Sequence, residues 1–97
     1  MKKNPIQLLS EFVSIQSVST DPSRQSEILK AVEFLKKEIK SLEFEVKTYQ
    51  KNNCSPLIVA KSAFAKASTR QGKTIGIYAH YDVQPEDPVE QWESPPF

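Results

Sequence analysis

The sequence predicts an α/β fold: two N-terminal helices followed by strands of a mixed sheet. Three observations predict it. Ile28, Val32, Leu35, Ile39 and Leu42 recur at helical spacing for about four turns, with Lys30, Glu33, Lys37 and Lys40 on the other faces. Phe44, Val46 and Thr48 then alternate with Glu45, Lys47 and Tyr49, the two-residue period of a strand. Finally, Leu57–Ala60 and Ile75–Ala79 are short apolar runs bounded by turn residues, as strands in the interior of a sheet are.

Taken in order, the first helix is expected near residues 5–14. Ile6, Leu9 and Val13 recur at helical spacing, and Leu8 and Phe12 widen the stripe. Pro5 suits a first turn, where its missing N–H has no bond to lose. "SIQSVSTDPS" is polar and turn-like. Asp21 followed by Pro22 reads as an N-cap and a first-turn proline, so the long second helix starts there. At its far end a glycine would suit the left-handed cap, but the residue is Glu43. A side chain in that conformation costs roughly 1 kcal/mol.

The strand at 44–49 is expected to be half-buried. "KNNCSP" makes a turn, and the strand from Leu57 is expected to be more buried and to run toward Phe64. "AKASTRQGK" reads as a polar loop. A third strand is expected at 75–79, buried on both faces. All the helix lies upstream of the sheet it would cover. Residues 1–97 are therefore expected to form the opening, truncated portion of a larger α/β domain.

Composition excludes several classes of function. The 97 residues allow at most one small domain, and 38% hydrophobic with 26% charged residues suits a globular chain. A formal charge of +1 gives no basic surplus for nucleic acid. No run approaches the roughly 18 apolar residues of a membrane helix. Gln7, Ser10 and Glu11 interrupt what could have been the apolar part of a secretory signal. Cys54 is the sole cysteine, so the chain has no internal disulfide, which fits a reducing compartment. A cytoplasmic location is expected, with neither nucleic acid nor membrane as partner.

Chemistry concentrates at "IGIYAHYDVQPED", residues 75–87. His80, the only histidine, would stand just beyond the carboxyl end of the third strand, where open α/β sheets gather functional groups. Imidazole is the commonest transition-metal ligand. A carboxylate accepting its second N–H fixes the tautomer and raises its basicity. Asp82, two residues on, lies on the same side of an extended backbone. It can serve that purpose, or orient a general base supplied from elsewhere. A bare His-x-Asp is more often the polar end of a strand than a metal site. Tyr78 and Tyr81 read as packing residues, and Glu86, Asp87, Glu90 and Glu93 as a solvated acidic loop. Cys54 reads as a turn residue rather than a nucleophile.

The wider stretch "IGIYAHYDVQPEDPVEQWESPPF" resembles the di-zinc metallopeptidases that include aminoacylase, carnosine dipeptidase, acetylornithine deacetylase and succinyl-diaminopimelate desuccinylase. Their signature is an apolar strand, Gly-His-x-Asp-Val-x-Pro, then a tryptophan and a Pro-Phe pair. His80, Asp82, Val83 and Pro85 match, and Trp92, Pro96 and Phe97 follow in order. Tyr81 and Gln84 look like the dipeptidase branch. "LLSEFVSIQSVSTDP" resembles the family's first helix and Ser-Val-Ser segment, and "AVEFLKKEIKSLEFEV" its second helix and first strand. Ala79 and Glu43 depart from the pattern, each standing where the family has glycine.

The resemblance implies a zinc-dependent dipeptidase or amidohydrolase acting on a dipeptide or an N-acyl amino acid, with His80 as a metal ligand and Asp82 as the carboxylate behind the acid–base chemistry. Zinc is the implied metal, with cobalt and manganese as alternatives. The family's bridging aspartate, general-base glutamate and second histidine lie downstream of this region, and its members often dimerise through a separate domain. Since a catalytic zinc takes three protein ligands, residues 1–97 alone are expected to be inactive. A non-catalytic α/β fragment that acts as a binding module is the alternative expectation.

Overall fold

The computed structural model describes residues 3–62 and 73–97. It bears out the α/β class: helix α1 (Pro5–Val13), helix α2 (Gln25–Ser41), then strands β1 (Phe44–Tyr49) and β2 (Leu57–Ser62) paired as a two-stranded antiparallel sheet. The chain divides into two units, Met1–Ala31 with Tyr81–Phe97, and Val32–His80.

In the first unit, α1 begins at a capping box. Asn4 Oδ1 accepts from the Gln7 N–H at 2.8 Å, and Gln7 Oε1 accepts from the Asn4 N–H at 3.3 Å. These bonds occupy amide donors that a helix start leaves without partners. The expected apolar stripe turns the other way, however. Ile6 and Leu9 are exposed, at 80% and 61%, while Leu8, Phe12 and Ile15 are half-buried. Those three follow i, i+4, i+7, so Leu8 and Phe12 define the covered face.

Asp21 caps as expected. Its Oδ1 accepts from the Ser23 N–H at 2.9 Å and the Ser23 hydroxyl at 2.7 Å. A 3-10 turn, Pro22–Arg24, leads into α2. The buried apolar residues of this unit are Val18, Ile28 and Ala31.

In the second unit, burial fades along α2: Val32 is buried, Leu35 and Ile39 are half-buried, and Leu42 is 63% exposed. The helix closes on short 3-10 bonds, Leu42 N–H to Ile39 C=O and Glu43 N–H to Lys40 C=O. Glu43 does adopt the left-handed conformation, with φ 66°. β1 and β2 pair in the register Phe44–Ser62, Val46–Ala60 and Thr48–Ile58. Along β1 only Val46 is even half-buried, whereas β2 half-buries Ile58 and Val59. The expected half-buried β1 is therefore largely exposed, because among the described residues the sheet has only two strands. Asn53, at φ 62°, turns the hairpin connection, where Cys54 is exposed. Asparagine tolerates that conformation better than most side chains.

The third strand is not formed. Residues 73–80 carry no strand, and Ile75, Ile77 and Tyr78 are 85%, 92% and 94% exposed. A strand exists through its ladder partners, and among the described residues none pairs with this run. Tyr78 is consequently not a packing residue. Phe64 and residues 65–72 of the expected polar loop lie outside the described residues. None of the helices described is long and apolar enough to cross a membrane.

Candidate functional site

The site is built from two segments of the first unit that the sequence separates by more than sixty residues. Ser17–Ser19 follows α1, and Tyr81–Glu86 carries most of the His-Tyr-Asp-Val-Gln-Pro motif. Val18 and Val83 form an isolated parallel bridge. The Val83 N–H donates to the Ser17 carbonyl at 3.0 Å, and the Ser17 hydroxyl donates to the Tyr81 carbonyl at 3.1 Å. Ser17 and Val18 are almost wholly buried, at 2% and 1% exposed. A buried hydroxyl costs stability unless it is bonded, and the Tyr81 carbonyl meets that need. Ser19 follows Val18 at the centre of a turn that the Asp21 N–H closes on the Val18 carbonyl at 3.2 Å.

The turn brings Ser19 to Asp82. The Ser19 hydroxyl donates to Asp82 Oδ2 at 2.6 Å, and the aspartate is half-buried. A short O–H···O bond to a carboxylate is among the stronger hydrogen bonds of proteins. Asp82 is thus a carboxylate of fixed direction rather than a solvated loop residue.

Farther along, Arg24 grips the segment a second time. Its Nη1 and Nη2 donate to Glu86 Oε2 and Oε1 at 2.7 and 2.6 Å. Its Nε lies 3.2 Å from Asp21 Oδ2, and its guanidinium stands 5.8 Å from the centroid of the Phe97 ring. The Trp92 indole N–H donates to the Glu86 carbonyl at 2.8 Å. Glu86 is only 17% exposed at its side chain. The hydrogen bonds from Arg24 hold its carboxyl at about 2, against an ordinary 4.5. This corrects the reading of the acidic run as wholly solvated: Asp87, Glu90 and Glu93 are exposed, but Glu86 is paired. Glu27 also braces the entry to the segment, accepting from the Gln16 N–H at 3.1 Å. The Lys30 side chain, and then that N–H, hold its carboxyl below the ordinary value.

His80 closes the second unit and is exposed. Its placement at a strand end does not hold, since residues 73–80 form no strand. An exposed imidazole can offer a ring nitrogen to a divalent ion, so the donor chemistry fits one ligand position. Among the described residues, no group of three or more His, Cys, Asp or Glu side chains could hold a metal.

Ser19, Arg24 and Glu86 did not emerge from sequence reasoning as site residues. The one signal pointing to Ser19 was the Ser-Val-Ser segment. Nothing in local periodicity pairs Arg24 with Glu86, 62 residues away.

No protein-family model matches the chain, and no solved structure matches it. The chain is similar to Cys-Gly metallodipeptidase DUG1 of Candida albicans, with 29% identity over 105 aligned positions. That alignment takes in all of this chain and 22% of the relative, so the chain spans about a fifth of that relative's length.

Proposed function

We propose that this chain carries the motif-bearing N-terminal part of a metal-dependent dipeptidase or related amidohydrolase catalytic domain. The observation that carries the reading is the fixed carboxylate: Asp82, held by Ser19 within paired segments and two residues from His80. The similarity to a metallodipeptidase, which covers the whole of this chain, supports it.

In this reading His80 is a metal ligand and Asp82 the carboxylate that tunes the site without binding the ion itself. A pair of divalent ions, zinc foremost, supplies a polarised carbonyl and a hydroxide near neutral pH when bound. His80 contributes one imidazole nitrogen. Asp82 contributes a negative charge whose direction the Ser19 hydroxyl sets. Ser17 and Val83 hold the two backbones in register, so that the carboxylate returns to one position. Further ligands and the general base must come from other residues, because one imidazole does not complete a catalytic site. Short peptides are the proposed substrates, with the Cys-Gly dipeptide the first to assay and N-acyl amino acids second.

The experiment uses the protein expressed from its complete reading frame. His80→Ala should lower bound zinc per chain and abolish dipeptide hydrolysis. Unchanged zinc stoichiometry and turnover in that variant would remove the metal assignment.

A second reading, an α/β binding module, draws on the exposure of Ile75, Ile77 and Tyr78. Apolar surface of that kind favours association. Sedimentation of the purified chain separates the two: a stable monomer across concentrations counts against the module.

A further inference from the structure

We infer that the outer edge of β1 pairs with the same edge of a second copy of this chain, antiparallel and centred on Val46. The inference is independent of the metal reading and uses residues of the second unit alone.

β1 is paired along one side, by β2, and among the described residues no strand runs along its other side. Val46 is half-buried and the rest of β1 is exposed, Phe44 and Tyr49 at 39% and 53%. Such an edge is already extended and accepts a further strand through its backbone.

A two-fold pairing is self-complementary: the residue on the axis meets itself, and those on either side exchange partners. Charge then selects the register. Centring on Glu45 sets glutamate against glutamate, and centring on Lys47 sets lysine against lysine, both unfavourable for residues directly opposite. Centring on Val46 sets Glu45 of each copy opposite Lys47 of the other, with both pairs on one face. On the other face Val46 meets Val46, and Phe44 meets Thr48. A lone two-stranded pair is marginal in water, and this pairing joins two of them into one continuous sheet. The edge of β2 offers no such exchange, since Lys61 is its one charged residue.

The test mixes isotope-labelled and unlabelled copies of the protein expressed from its complete reading frame, at low ionic strength, and joins touching carboxylates and amines with a zero-length carbodiimide. Mass spectrometry should find Glu45 of one copy joined to Lys47 of the other. Glu45→Lys or Lys47→Glu turns both pairs into like charges and should weaken association by about 10-fold in sedimentation equilibrium. Within one copy Glu45 lies opposite Lys61 but Lys47 lies opposite Val59, so Lys47→Glu leaves the charge pairing of the hairpin alone. Mixed together, the two variants again set opposite charges across the axis and should associate as the wild type does. Lys47→Glu that associates at wild-type strength, a mixture no tighter than either variant, or copies that never join between Glu45 and Lys47 would overturn the inference. The last result does so even in a protein that dimerises through another surface.

Discussion

Arg24 and Glu86 meet in a two-pronged ion pair, with both terminal guanidinium nitrogens on both carboxylate oxygens at 2.7 and 2.6 Å. This geometry matches the planar fork of arginine to the plane of a carboxylate, a match that lysine cannot make. It ties the turn before α2 to the loop that follows the His-Tyr-Asp motif. Glu86→Gln and Arg24→Lys should both loosen that loop. The Val83 amide, bonded to the Ser17 carbonyl, should then exchange its hydrogen faster in either variant. Exchange at wild-type rate would mean that the backbone pairing and Ser17 suffice to hold the loop.

The same pair makes a pH prediction. Glu86 titrates at about 2 in the folded chain, against an ordinary 4.5, because Arg24 hydrogen-bonds its charged form. A depressed carboxyl pKa stabilises the fold above the ordinary value and loses that contribution as pH falls through the folded one. Asp21 is shifted the same way, first by the Ser23 hydroxyl, and Glu27 first by Lys30. Thermal stability should therefore fall between pH 4.5 and pH 2. In Glu86→Gln the decline should be shallower. A melting temperature that stays level through this range would count against the pairing.

The helices and the first two strands were legible because each rests on a local period. Ile28 and Val32 are buried where helical spacing placed them, and Asp21 caps its turn through Ser23. Burial along these elements was not legible, because it depends on what lies opposite. Leu42 continues the stripe of α2 yet is exposed, and Leu9 continues that of α1 yet faces away from the covered side. The run Ile75–Ala79 has the composition of an interior strand, but composition cannot supply a ladder partner. The site divides along the same line. Asp82 stood out by its neighbours in sequence and Ser19 only by its place in the Ser-Val-Ser segment, whereas the pairing of Arg24 with Glu86 was visible only once distant segments met.

Core truncation separates the two ends of α2. Ile28 is 1% exposed, so Ile28→Ala removes buried methylene groups and leaves a cavity, at a cost of about 2–5 kcal/mol. Leu35 stands on the same stripe but is only half-buried. Helical spacing alone marks Leu35 for a core loss of that size, yet Leu35→Ala should cost less than Ile28→Ala. Urea unfolding of the two variants measures the difference, and equal losses would place Leu35 in the core after all.

The end of α2 offers a test in the stabilising direction. Glu43 sits at φ 66°, where a β-carbon crowds the following carbonyl oxygen and costs on the order of 1 kcal/mol. Glycine has no β-carbon and enters this conformation freely. It also widens the unfolded ensemble, which offsets part of the gain by roughly 0.4–1 kcal/mol. Glu43→Gly should thus be neutral to slightly stabilising, whereas most substitutions destabilise by about 1 kcal/mol. Glu43→Asn, which tolerates the left-handed region while keeping a side chain, should fall between glycine and wild type. Urea midpoints for the three proteins would order them. A clear loss in Glu43→Gly would show that the glutamate side chain contributes more at the helix end than its backbone conformation costs.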